Sequence, residues 1–135
     1  MTNRREAMLL LSAAAAAAQN TPAPAVRAVG KRDLPKLSTD NWRFEMVEIT
    51  VPPGAQSPAH FHPNPGFVVG YVLEGSYRFA IDDQPAQVLT AGQMFYEPPG
   101  AKHSTSGNGS TTKPARILAM VFGDKGQPIS RPAKA

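Results

Sequence analysis

From Trp42 onward the chain alternates short apolar runs with turn-forming residues, and the apolar positions repeat every two residues. The first run, WRFEMVEITV over 42–51, is rich in β-branched and aromatic side chains. Trp42, Phe44 and Met46 share one parity, and Val47, Ile49 and Val51 the other. Successive strand side chains point to opposite faces, so this switch predicts a bulge near Met46. Pro52-Pro53-Gly54 then turns the chain. Further runs follow at 66–73, 77–81, 85–90, 94–97, 102–106 and 115–122, each bounded by Gly, Pro or Asp. Within them Tyr77, Phe79 and Ile81 share a face, Asp82-Asp83 makes a hairpin turn, and Met94, Met120 and Phe122 are core candidates. Strands this short with turns this frequent predict an all-β antiparallel sandwich or small barrel. No segment after residue 41 has a helical period, which argues against alternating strands and helices.

The flanks read differently. Residues 1–18, MTNRREAMLLLSAAAAAA, have a short basic start, an apolar stretch and small residues, the layout of an export signal too short to span a membrane. Arg4-Arg5 before a mild, alanine-rich stretch is similar to a twin-arginine signal, with Asn3 and Ala7 departing from its usual pattern. The expected product is an exported, periplasmic or secreted protein. Residues 19–41 form a polar, Pro-containing leader, 42–122 the barrel, and 123–135 a flexible tail.

At 135 residues and 41% hydrophobic content, the chain suits one domain with a single core. The formal charge of +4 is scattered, with no basic stripe interleaved with aromatics, which argues against a nucleic-acid partner. The absence of cysteine excludes disulfides, thiolate metal sites and cysteine nucleophiles.

Only three histidines occur: His60, His62 and His103. The spacing of His60 and His62 puts both imidazoles on one strand face, roughly 6–7 Å apart along the strand, a span that a metal can bridge. Taken alone, the pair equally fits two surface or hydrogen-bonded histidines.

The segment Gly54–Asn108 resembles the cupin family. Gly54, five residues, His60-Phe61-His62 and later Gly75 follow its first motif. Gly92, five residues, Pro98-Pro99-Gly100, two residues and His103 follow its second, with Asn108 one position late. The resemblance implies a double-stranded β-helix, or jelly-roll, barrel in which His60, His62 and His103 bind a divalent metal. Imidazole ligands favour Fe(II) or Ni(II), with Zn(II) and Cu(II) also suited. It further implies a homodimer paired through the outer sheet and a small-molecule substrate.

One ligand is absent. The family's glutamate position holds Val68, which cannot bind metal. Glu74 sits at a turn before Gly75, as a solvated carboxylate. Glu97, six residues before His103, is the remaining candidate: facing in, it is a fourth ligand or an acid/base group, and facing out, a surface carboxylate. Val68, Gly70 and Val72 share the parity expected to line the cavity, and Gln56 and Tyr71 are further lining candidates. Three functions are compatible: a metal-dependent oxidoreductase or dioxygenase, a non-catalytic module holding a small ligand or metal, and a cupin-type sugar isomerase.

Overall fold

A computed structural model describes residues 22–36, 38 and 40–134, so the expected export signal at 1–18 lies outside the described residues. The domain is all-β. Its strands are β1 Trp42–Val51, β2 Gln56–Ser57, β3 His60–Phe61, β4 Gly66–Glu74 and β5 Ser76–Ile81, then β6 Gln87–Thr90, β7 Met94–Glu97, β8 Lys102–Asn108, β9 Ala115–Asp124 and β10 Arg131–Pro132. They form two antiparallel sheets, ordered β1-β9-β4-β7 and β10-β3-β8-β5-β6, with β2 also paired to β8. Their inner faces make the jelly-roll core. Val68, Val72, Phe95, Ile117, Ala119 and Val121 come from the first sheet, and Tyr77, Phe79 and Leu89 from the second.

Turns at special backbone angles set the strand ends. Gly100 has φ 76° in the Pro98-Pro99-Gly100 turn that aims β8, and Gly75 has φ 77° between β4 and β5. A Cβ at Gly75 would also overlap the Pro114 carbonyl. Both turns therefore require glycine.

The expected bulge near Met46 is not formed. The β1–β9 register runs unbroken from Trp42↔Asp124 to Val51↔Ala115. The apolar parity switch arises because this sheet is apolar on both faces. Trp42, Phe44 and Met46 point outward and are exposed, while Val47, Val51 and the partly open Ile49 line the cavity on the other face. The three core candidates also lie on the outer side and are only half-buried. Phe122 stacks on Phe67 with ring centroids 4.7 Å apart, and Met120 and Met94 pair with the outward-facing Val69 and Tyr71. The leader crosses this face, where Arg32 sits over the Tyr96 ring and Arg27 Nη2 donates to the Gly92 carbonyl.

Residues 123–134 fold back onto the barrel. β9 continues to Asp124, and β10 pairs with β3 through Arg131↔Phe61 and Pro132↔His60. Ile129 packs against the core, and the Ala133 amide donates to the Ala59 carbonyl.

Candidate metal centre

The three histidines arrive from two neighbouring strands and a loop. His60 on β3 is the register partner of His103 on β8, and His62 follows two residues after His60, which returns it to the same side. One nitrogen from each ring lies within 4.8 Å of the others. A register shift against β5 lets β8 pass from Thr105↔Ala80 to His103↔Ile81, with Ser104 as the extra residue. That bulge brings His103 and Ser106, three residues apart, to the inner face together.

Backbone carbonyls fix two of the rings. Nδ1 of His60 lies 2.8 Å from the Pro58 carbonyl, and Nδ1 of His62 lies 2.7 Å from the Ile129 carbonyl. A carbonyl only accepts, so each Nδ1 carries the proton and each Nε2 presents a lone pair. This arrangement is typical of metal-ligating histidines.

Glu97 points in. It is 3% exposed and is the cross-strand partner of Val68 on β4. Paired residues on adjacent strands share a face, so the carboxylate missing from position 68 is supplied one strand over, at the same level. Its Oε2 lies 3.3 Å from His62 Nε2 and its Oε1 3.3 Å from His103 Nδ1. Nonetheless, Glu97 Oε2, His62 Nε2 and His103 Nδ1 are all buried without a hydrogen bond. Burial raises the Glu97 pKa to about 8. Burial, with smaller contributions from His60 and His62, lowers that of His103 to about 3. His62 is likewise lowered, chiefly by burial.

These values describe a cluster that rejects charge on its own. An ionised Glu97 would face the His62 lone pair with nothing between them, an arrangement that a proton or a cation relieves. A divalent cation suits the donor set: lone pairs on imidazole nitrogens, a carboxylate, and orphaned buried atoms that no protein group satisfies.

Beside this cluster lies a cavity of about 360 Å³. Its far wall is aliphatic, built from β1 and β9. Its near side carries the histidines with the Tyr77 and Ser106 hydroxyls: Tyr77 Oη lies 2.7 Å from Ser106 Oγ and 3.4 Å from His103 Nε2. Ile129, Ser130 and Pro132 complete the rim, so the C-terminal strap both borders the cavity and orients His62.

His60, His62, His103, Glu97 and Val68 all border the cavity. Gly70 does not, because a Cβ there would overlap the Phe95 ring that covers it. Tyr71 has the opposite parity to Val68 and lies on the outer side, paired with Leu118 and Met94. Gln56 is exposed at the barrel edge and reaches the Asn108 carbonyl. Tyr77, Ser106 and Ile129 are among the cavity residues that sequence reasoning did not assign to the site. Of these three, only Tyr77 had a signal, its shared parity with Phe79 and Ile81.

The model of the family described as "Cupin domain" matches residues 47–121. No curated protein matches the chain. Among solved structures, an uncharacterised conserved protein with a double-stranded β-helix domain from Klebsiella pneumoniae aligns at TM-score 0.58 and 18% identity, over 84% of this chain and 100% of its own. The polyketide cyclase RemF from Streptomyces resistomycificus aligns at TM-score 0.54 and 28% identity, over 69% and 62%. DMSP lyase crystal structures align at TM-score 0.54 and 23% identity, over 71% and 46%. The chain thus spans about half the length of the lyase chain and under two thirds of the cyclase. The family match covers more than half of the sequence and contains all three histidines and Glu97, and the chain belongs to the cupin domain family.

Proposed function

We propose that this cupin is a metal-dependent enzyme, an oxidoreductase of the dioxygenase kind acting on a small organic molecule. The observation that carries the reading is the set of buried, unpaired donor atoms on His62, His103 and Glu97 beside a cavity large enough for a substrate. His60, His62, His103 and Glu97 would hold the ion, with Fe(II) or Ni(II) best suited to three imidazoles and one carboxylate. Such an ion, when bound, supplies Lewis-acid and one-electron chemistry that the side chains lack.

The protein's own residues do the rest. The Pro58 and Ile129 carbonyls hold His60 and His62 in the ligating tautomer. As a ligand, Glu97 would supply the one negative charge that the three imidazoles lack. The aliphatic wall limits water around the reacting groups. RemF, at 28% identity, is named as a cyclase, an enzyme on this fold, which supports catalysis over passive binding. The layout of residues 1–18 supports export, which cell fractionation tests directly.

Metal analysis tests the central reading. The purified chain is expected to hold about one ion, and His60→Ala/His62→Ala less than about a tenth of that. Equal, substoichiometric metal in both proteins sinks the metal site. Full metal without oxygen uptake on any small organic substrate favours the non-catalytic binding module.

A further inference from the structure

The cavity is sharply divided. Val47, Val51, Ile117, Ala119 and Val121 form one wall with no polar side-chain atom. The other pole gathers His60, His62, His103 and Glu97 with the Tyr77–Ser106 hydroxyl pair. None of the described residues lining the cavity is a lysine or an arginine. Ser57 and Ser130 add hydroxyls to the lining, and the part of a ligand that lies against β1 and β9 must tolerate an aliphatic surface.

Charge narrows the class further. Three neutral imidazoles and one carboxylate around a divalent cation leave a single net positive charge, which balances one negative charge on a ligand. A dianion would leave an uncompensated charge, and its second anionic group would lie against valine and isoleucine. Burying an unpaired anion in such surroundings is strongly unfavourable.

The hydroxyl pair supplies a matching donor. Within the 2.7 Å Tyr77–Ser106 contact one hydroxyl donates to the other. Whichever way that proton points, the second hydroxyl keeps an O–H of its own. The Tyr77 ring is fully buried, so its hydroxyl is held in place.

We infer that the site takes a small, largely apolar molecule with a single oxygen head group, neutral or monoanionic, such as a phenol or an enol. Its oxygen sits between the histidine cluster and the Tyr77–Ser106 pair, its hydrocarbon body lies against β1 and β9, and small dianions are excluded. The 360 Å³ cavity is about the volume of a dozen waters, which suits a single substituted ring. The charge argument rests on the metal reading proposed above, and the divided wall stands without it.

The test is calorimetric titration of the full chain, Zn(II)-loaded and metal-free, with phenol, 4-methylphenol, 4-ethylphenol and oxalate, with metal content measured on the same samples. With metal bound, affinity is expected to rise by about fourfold per added methylene, with oxalate at least about 100-fold weaker than 4-ethylphenol. Tyr77→Phe and the smaller change Ser106→Ala should each weaken the phenols about tenfold at unchanged metal content. Ala119→Leu, which narrows only the aliphatic wall, should abolish the gain from the 4-substituent. Oxalate binding as tightly as the phenols overturns the inference, as does a flat 4-alkyl series. Unchanged phenol affinity in both hydroxyl variants overturns the head-group assignment. Failure to load Zn(II) sinks the metal reading alone. In that case the metal-free titrations decide the ligand class, with a rising alkyl series sustaining it and a flat one ending it.

Discussion

The two sheets that wall the cavity differ in chemistry. The sheet containing β3, β5 and β8, with the loop after β3, brings nitrogen and hydroxyl groups: His60, His62, His103, Tyr77 and Ser106. The facing sheet is apolar where it borders the cavity, except for Glu97. Neither half is a metal site alone. The histidine side lacks the negative charge that holds a hard cation tightly, and the glutamate side buries a carboxylate among valines. Sheet packing brings the two halves together, so metal binding and barrel closure should be coupled.

The sharpest way to break this contrast uses pH in the metal-free protein. Glu97's pKa stands above its ordinary 4.5, at about 8. The folded chain therefore binds more protons than the unfolded chain in that interval, and this contribution, full below 4.5, is lost as pH rises through 8. His103 is lowered from 6.5 to about 3, so its contribution is full above 6.5 and lost as pH falls toward 3. Above pH 6.5 the contributions of His103 and the likewise lowered His62 level off, and the glutamate slope dominates, at up to about 1.4 kcal/mol per pH unit. EDTA-treated wild type should lose about 2 kcal/mol between pH 6.5 and 8, while Glu97→Gln should stay flat. Thermal unfolding curves that move in parallel for the two proteins would show that Glu97 does not share the site's charge balance. Metal loading should flatten the wild-type slope, because the ion displaces the carboxyl proton and Glu97 is then ionised in both folded and unfolded chains.

A second test moves the carboxylate back. Val68 and Glu97 are register partners on adjacent strands. Exchanging them as Val68→Glu/Glu97→Val keeps the composition of the pair and returns the acid to the position where the family carries it. Glu97→Val alone should weaken metal binding by about 30-fold, and the double exchange should recover most of that loss. A double variant as weak as the single one would mean that the level of the carboxylate along the barrel is not what matters.

The legibility of this molecule in its sequence follows the same divide. The histidine side was readable because its residues fall in a spaced motif, and a His-x-His pair fixes its own common face. The strands were readable from their period of two: β1 and β7 have the boundaries that the pattern marks, and β4 and β9 extend one and two residues further. The glutamate side resisted. β7 reads Met-Phe-Tyr-Glu, with large side chains on both parities, so nothing local states which face is inside. An inward glutamate also contradicts the usual burial preference, and only the β4–β7 register reveals it. β1 misled for a related reason, since Trp42, Phe44 and Met46 form an exposed apolar strip that imitates a second buried face. The strap was invisible because Ile129 is a lone apolar residue among Pro128, Ser130 and Arg131, too little to form a periodic pattern.

That strap gives the smallest predicted effect and the finest test of the contrast. It adds no side-chain donor to the cluster, and its polar contribution is the Ile129 carbonyl 2.7 Å from His62 Nδ1. Arg131 over the Phe61 ring at 4.7 Å and the Ala133–Ala59 hydrogen bond hold that carbonyl in place. Removing residues 128–135 leaves β1 through β9 intact but frees the His62 ring to change tautomer and rotate. Metal affinity should fall by about tenfold, the low end for loss of a group that orients a ligand, while His60→Ala should cost far more. The carbonyl acts on one ring only, so the truncation should have little further effect once His62 is already alanine. Additive losses in the truncated His62→Ala protein would show that the strap supports the barrel as a whole rather than orienting that histidine.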